Sequence, residues 1–556
     1  KTYVFSWRES TPWVCGFVGW VSFRLGNQQD VVVHVSNRGG RSMGSGQHGV
    51  ARARRMSLRA HAIGSEQKER VIQGRVKMVV VAPLERHAPT GLRSPWGPPP
   101  TMKQVLERAA EKAELDVTWV NGDIVVGRNQ RDIEREMIDA ASDTPICMAI
   151  QVQDERMGNT IIRSLEKIRT QRKQTETQSE DVRNRAMGKS AAMNFISLGG
   201  TAQLSTASKL LAYEVQGNMF TSVIRRFFLQ RNDWAKGKEL YTTMTDLYER
   251  YNADDLSYLM RLYASECVRW DKEAHLDAGG PAFDTLSCML TNCRSEVLAC
   301  LMDQNCRTAI TKLSSCGIRD QVKSYQIIAS YESELFASFS LCVLQKHNCM
   351  GNTAAMPQSP NVQPMQAFRG KPMSHSIAQD ILIGWLRKEK EYSWRVYAGQ
   401  NAAYDRFPCQ YQLFYFGKAK GSMWYDPVFR VETLDGNKVW RRRHYRVRKG
   451  DLPGTFHFSV LDNGVVSKEF WKVVECAEDM SWCILYYEGA ASAAGTSYQG
   501  SILATADGLA PPAHAQERIE RVLEQCDIKT WELTTVDNMC ELCSNAPLSI
   551  EDGGWV

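Results

Sequence analysis

Apolar residues recur every three to four positions in "TMKQVLERAAEKAEL" (101–115), the spacing of a helix with one buried face. The same period runs through "QRDIEREMIDAA" (130–141) and "MGNTIIRSLEKIRTQRK" (157–173). Between these helices, "DVTWVNGDIVVG" (116–127) predicts a hairpin turning at Asn121-Gly122, and "ICMAIQV" (146–152) a buried strand. From 203 to 272 the pattern is helical, with aromatic stripes at Phe227, Phe228, Tyr241, Tyr248 and Tyr258 that read as helix core. Beyond Trp394 the period falls to two. Eight short segments follow: "WRVYAG", "QYQLFYF", "MWYDPVFRVE", "KVWRRRHYRVR", "TFHFSVL", "VVSKEFWKVVE", "SWCILYYEG" and "YQGSILATA", with "LDGN" and "LDNG" among the turns. A single helix, "AHAQERIERVLEQC" (513–526), ends the run. Eight antiparallel candidates with no helix between them predict an up-and-down β-barrel, a size that encloses one small ligand.

At 556 residues the chain exceeds what one core holds, so several domains are expected. The pattern gives a multi-domain α+β fold: a basic leader (1–75), a small α/β domain (101–175), a helical region (203–272), a Cys-rich helical domain (284–350) and the barrel with its helix (390–545). "RHAPTGLRSPWGPPP" (86–100), "TETQSEDVRNRAMGKS" (175–190) and "GNTAAMPQSPNVQPMQ" (351–366) read as linkers. Residues 1–60 carry nine Lys and Arg against Glu9 and Asp30, with scattered Ser and Gly; this reads as an organelle transit peptide or a disordered basic tail. The net charge of +6 is mild, and no zinc-finger, RNP or recognition-helix pattern accompanies it, so nucleic acid is not an expected partner. The glycines of 101–175 form no phosphate-binding fingerprint. No apolar run approaches the roughly 18 residues a membrane-crossing helix needs.

"CMLTNCRSEVLACLMDQNC" places Cys288, Cys293, Cys300 and Cys306 within nineteen residues. Metal-binding pairs at short spacing are absent from it, and the nearest histidine, His347, lies beyond, so no metal is expected. Crosslinks are the better reading. On one straight helix Cys293 and Cys300 would stand about 10.5 Å apart, too far for a bridge, so bonding them requires a chain reversal between them. Nested bridges 288–306 and 293–300 would staple such a hairpin with the shortest loops, among three connectivities. Disulfides imply an oxidising compartment.

The order of parts, a Cys-rich helical region followed by a barrel with Trp394 opening its first strand, resembles the violaxanthin de-epoxidase family and its lipocalin barrel. "WRVYAGQNAAYDRFPCQ", "LYYEG" (485–489), "VDNMC" (536–540) and "CVLQKHNC" (342–349) carry the resemblance, over about 284–540. It implies bridges 288–306, 293–300, 342–349 and 409–540, joining Cys342 to Cys349 and Cys409 to Cys540. It places further cysteines where this chain has Lys312, Tyr325 and Ala329, leaving Cys316 without its usual partner. It also implies a plastid protein of the thylakoid lumen that reduces an epoxy-xanthophyll, a carotenoid, with ascorbate as reductant.

That chemistry needs an acid for the epoxide oxygen, and a carboxyl in an apolar cavity is suited to it. The resemblance assigns the acid to Glu469 of "KEFW", where the family has Asp, with Tyr487 assisting and Asp405 in the first loop. Trp394, His457, Gln412 and Tyr415 are the candidate ligand-lining positions. Gln412 and Tyr415 stand where the family has histidines, Pro408 replaces an Asp, and Tyr392 replaces the glycine of the lipocalin G-x-W signature. Histidine is the natural switch between pH 5 and 7, so family-type acid activation is not carried over. "WRRRHYRVRK" (440–449) reads as a solvated face or as a strip for peripheral contact with thylakoid lipid. Three functions follow: a xanthophyll-modifying oxidoreductase, a non-catalytic lipocalin for an apolar ligand, or a plastid scaffold whose N-terminal region binds protein partners.

Overall fold

The computed structural model describes residues 75–550 apart from 89–94, 124–129, 142–143, 145, 179–193, 212–229, 251, 269–281, 317–318, 389 and 540. The basic leader, the second half of the expected 116–127 hairpin, Phe227, Phe228 and Cys540 lie outside the described residues.

Four parallel strands open the described chain: β1 (Lys77–Ala82), β2 (Asp116–Asn121), β3 (Ile146–Ile150) and β4 (Asn194–Leu198), in the order β2-β1-β3-β4. β1 and β4 were not expected from the sequence. Their runs, "KMVVVA" and "NFISL", are continuous apolar stretches without alternation, as strands covered on both faces must be. One face packs on α1 (Met102–Lys112), α5 (Gln230–Glu249) and α6 (Ala253–Val268). The other packs on α2 (Gln130–Ala141), α3 (Glu155–Gln178) and α4 (Ala202–Leu211). The α/β unit therefore begins before residue 101, and the helices of 202–268 are divided between its two layers, α4 on one face and α5 and α6 on the other. Tyr248 is buried there, with Tyr241 and Tyr258 beside it.

The α/β layers are tied to the segment that follows the barrel. Arg108, 4% exposed, meets Asp527 at 2.9 Å and Glu532 at 3.4 Å, and Lys112 meets Glu532 at 2.8 Å. Glu532 is itself buried. Removing one partner from a buried pair strands a charge. Arg108→Met should therefore lower the unfolding free energy by about 3 kcal/mol, read from urea denaturation, and restoring neutrality with Glu532→Gln should recover part of the loss.

The Cys-rich region is a helical stack: α7 (Ala282–Asn292), α8 (Arg294–Met302), α9 (Gln304–Ser314), α10 (Gln321–Tyr331) and α11 (Glu334–Ser340), closed by a π-helical turn, Leu341–Lys346. Its bridges are Cys288–Cys349, Cys293–Cys342 and Cys300–Cys306. None of the expected pairings 288–306, 293–300 and 342–349 forms. The chain reverses elsewhere: Cys293 and Cys300 stand at the two ends of the α8 segment, and the turn comes at Asp303. Asp303 caps α9 by accepting from the Cys306 amide at 2.7 Å, bringing Cys300 and Cys306 together across the break. Cys288 and Cys293 are then free to hold the π-helical turn. The barrel–tail bridge is Cys409–Cys543, replacing 409–540; Cys543 sits in a one-turn helix against Tyr411, whose hydroxyl donates to the Cys543 carbonyl at 3.3 Å.

The barrel closes. Its eight strands are β5 (Trp394–Gly399), β6 (Tyr411–Phe416), β7 (Met423–Glu432), β9 (Tyr445–Lys449), β10 (Thr455–Asp462), β11 (Val465–Cys476), β12 (Trp482–Ala491) and β13 (Thr496–Thr505), each antiparallel to its neighbours, with β13 returning to β5. The expected fourth strand splits in two. β8 (Lys438–Arg442) pairs with the far half of β7 and β9 with the near half. Pro427, between the two pairing stretches, has no N–H for the ladder. At "LDNG", Asn463 (φ +46°) and Gly464 (φ +82°) make the two-residue turn between β10 and β11. A Cβ on Gly464 would collide with the Ala337 carbonyl, so this glycine also lets α11 seat on the barrel. α12 (His375–Ile383) closes the floor, where the indole of fully buried Trp394 donates to the Ile381 carbonyl at 2.8 Å. α14 (Gln516–Gln525) packs outside on β12.

Candidate functional site

Alternation along β11 turns Ser467, Glu469 and Trp471 into the barrel and Phe470 and Lys472 out. Glu469 is 6% exposed. One carboxyl oxygen accepts from the Trp471 indole at 2.6 Å, the other from the Tyr498 hydroxyl at 2.7 Å, and Tyr498 shares a 2.8 Å hydrogen bond with Ser467. Burial raises the Glu469 pKa, and the donors from Tyr498, Trp471 and Tyr445 offset only part of that rise. The glycine of "LYYEG" explains how Tyr498 arrives. Gly489 lies between Glu469 on β11 and Tyr498 on β13, and a Cβ there would stand 2.4 Å from the Tyr498 ring. Without a side chain on β12, that ring crosses the strand to the carboxylate.

A second buried carboxyl comes from the loop after β5. The short helix α13 (Ala402–Asp405) folds back so that the Asp405 carboxyl rests on Gly399, where a Cβ would be 2.5 Å away. The Asp405 amide donates to the Asn401 carbonyl at 2.8 Å, while one carboxyl oxygen is buried without a partner. Burial pushes its pKa up to about 8. Tyr487 lies inside the wall, 4% exposed, against Gly500. Its ionisation is suppressed by burial first and then by the Asp405 and Glu469 carboxyls, so it stays a neutral phenol.

Aromatic rings fill the cup between these groups. Phe414 stacks on Tyr425 at 4.5 Å, Tyr425 approaches Trp471 at 5.3 Å, and Trp471 approaches Phe458 at 4.9 Å and Tyr487 at 5.6 Å. Gln412 points inward and accepts from the Tyr425 hydroxyl. At the mouth, Tyr325 of α10 inserts among Tyr404, Phe407 and Phe429, 5.6 Å from each ring. Arg441 and Arg443 hold the end of that helix through Glu332, at 3.3 and 3.2 Å.

Three expected site residues stand apart. His457 is exposed on the outer face against Phe470, because Phe456 and Phe458 take the inward positions of β10. Tyr415 faces outward, donating to Asp426 at 3.0 Å beside His444 and Arg442. Trp394 belongs to the floor, packed beneath α12. Tyr498, Tyr445, Trp471 and Ser467 were not expected; the period-two alternation that put Glu469 inside also puts Ser467 and Trp471 there. Among the described residues one grouping of metal-type ligands, Cys293, Cys342 and His347, falls within 4.8 Å, and both its sulfurs are already joined to each other.

Residues 285–538 match the family model of the VDE lipocalin domain. Violaxanthin de-epoxidase of Nicotiana tabacum, described as chloroplastic, is 23% identical over 238 residues, 41% of this chain and 46% of that protein. The chloroplastic violaxanthin de-epoxidase of Arabidopsis thaliana is 22% identical over 271 residues, 47% of this chain and 54% of that one. The chain thus spans about half the length of the curated relatives it matches. Among solved structures, lobster apocrustacyanin A1 is 13% identical, covering 34% of this chain and 96% of that chain with a TM-score of 0.21.

Proposed function

Taking residues 285–538 as a divergent violaxanthin de-epoxidase-like lipocalin domain, we propose that the barrel is a xanthophyll-modifying oxidoreductase of the de-epoxidase type, working in the thylakoid lumen of the chloroplast. The observation that carries this is Glu469: a buried carboxyl on the inner wall, its pKa raised, oriented by two donors. Protonated Glu469 gives its proton to the epoxide oxygen as a C–O bond breaks. Ascorbate, as co-substrate, supplies two electrons; the oxygen leaves as water with a second proton, and the two carbons are left as an alkene. Tyr487 and Tyr498, neutral phenols beside the acid, position the oxygen and exclude bulk water. The aromatic ladder offers flat faces to a polyene, which must displace the Tyr325 wedge and part of the ladder to reach Glu469. Four disulfides among the described residues fit an oxidising lumen.

Incubation with violaxanthin, ascorbate and galactolipid from pH 5 to 7, with pigments resolved by chromatography, tests the reading. De-epoxidised product that increases as pH falls supports it. Retained, unmodified violaxanthin favours the carrier reading, which Gln412, standing where the resemblance places a histidine, supports; neither binding nor turnover overturns both. The α/β unit of 75–268 contributes nothing to this chemistry and is assigned to protein partners, as a scaffold would use it.

The basic run of 440–449 divides by function. Arg441, Arg442 and Arg443 are spent on Glu332, Asp426 and Asp462. Arg446 and Arg448, with Lys468 two strands away, lie exposed on the outer face, and none has an ion pair among the described residues. This face is the proposed lipid contact. Replacing Arg446 and Arg448 with Gln should weaken sedimentation with anionic vesicles about fivefold per residue at low salt, with little effect at high salt.

A further inference from the structure

Cys476 ends β11 and Cys483 is the second residue of β12, directly opposite each other beside the turn 477–481. A bulge makes them face. The ladder slips between Val473 and Glu475, so the extra residue reverses the alternation and turns Cys476 inward instead of out. Both thiols then sit in the barrel-floor cluster with Met480 and Trp394, fully buried. The Ala477 amide donates to the Trp482 carbonyl at 3.0 Å, so that neighbouring pair is the hydrogen-bonded one. Cys476 and Cys483 therefore occupy the narrow, non-hydrogen-bonded position, where Cα atoms stand about 4.5 Å apart and side chains are closest. That separation lies within the range a disulfide spans.

We infer that Cys476 and Cys483 are a redox-active dithiol that closes to a fifth disulfide across the barrel floor, pinning the turn between β11 and β12. The oxidant is a small-molecule disulfide of the glutathione class: two thiols lose two protons and two electrons, one sulfur–sulfur bond forms, and the reagent's own bond is reduced to two thiols. Burial suppresses the Cys483 thiolate, so exchange proceeds while the hairpin is frayed or during folding, and either redox state persists once the floor is shut. The other free thiols among the described residues, Cys147, Cys267, Cys316 and Cys526, have no cysteine opposite them in a ladder.

The full chain is unfolded and refolded in oxidised or reduced glutathione, denatured with an alkylating agent in the absence of reductant, and cleaved at glutamates. Glu478 lies between the two cysteines, so a bridge joins two peptides that otherwise separate. The expected result is a Cys476–Cys483 peptide pair in the oxidised sample that reduction dissolves, and doubly alkylated cysteines in the reduced one. A melting midpoint for the oxidised chain several degrees above that of oxidised Cys476→Val, whose other four bridges are intact, supports the pin. Full alkylation of both thiols in oxidised buffer that leaves Cys409–Cys543 linked overturns the inference, as does a bridge from either cysteine to Cys526. Should Cys476→Val fail to fold, the wild-type peptides still decide.

Discussion

Glu469→Gln should reduce de-epoxidation by about a hundredfold to ten-thousandfold, the range a positioned general acid contributes, while pigment binding stays within about threefold. Gln keeps the length of Glu: its carbonyl oxygen can accept from the Trp471 indole while its NH2 donates to the Tyr498 hydroxyl, which can turn to Ser467, so the wall is preserved. What it lacks is a transferable proton. The pH dependence follows from the same burial. A carboxyl held above its ordinary range is protonated over more of the acid side, so wild-type rate should rise as pH falls, and no such limb should remain in the Gln variant. Glu469→Asp separates position from acidity. It restores the residue the resemblance places there but draws the carboxyl back by one methylene, about an ångström, away from Tyr498, and a loss of about tenfold to a hundredfold is expected. Equal rates for wild type and Glu469→Gln would remove the acid from the mechanism.

Asp405→Asn should make the protein more stable at pH 7 and flatten its stability between pH 5 and 8. The wild-type carboxyl has a folded pKa of about 8, above its unfolded value of about 3.9. Its stabilisation is complete below the unfolded value and is lost as pH rises through the folded one, by up to about 1.4 kcal/mol per pH unit. Over that window the loss is on the order of a few kcal/mol, and buried Glu469 adds to it with the same sign. Asn holds no ionisable proton and escapes this cost. Urea midpoints at pH 5, 6, 7 and 8 provide the measurement: a steeply falling series for wild type and a shallower one for the variant, whose remaining slope is that of Glu469. Parallel series would mean that Asp405 reaches water in the folded state.

The barrel was legible because strands such as β5, β9 and β10 alternate between buried and open positions, as burial on a single face enforces. The resemblance, not this arithmetic, chose Glu469, Gln412 and Tyr487, and all three face the interior. It misplaced His457 and Tyr415, which were chosen by resemblance against their own parity: Phe456 and Phe458 hold the inward positions of β10, and Phe414 and Phe416 those of β6. The parallel sheet was half hidden, since "KMVVVA" and "NFISL" are covered on both faces and carry no alternation. Disulfide pairing was illegible for another reason. Spacing limits which cysteines share a helix, but whether the chain turns at Asp303 or between Cys293 and Cys300 is decided by a cap and by packing on the barrel. The tyrosine that completes the acid site left a trace only in Gly489, which reads as an ordinary strand glycine until the ring across it is seen.

Where the resemblance calls for a cysteine on α10, this chain has Tyr325, and the ring closes the barrel mouth. A covalent rivet would fix that helix permanently; a wedge of stacked rings backed by Glu332 and two arginines can be pried loose by a guest with enough flat surface of its own. Admission to the cup is then a contest between two aromatic surfaces for one doorway, and a visitor too short to replace all three rings around Tyr325 stays outside.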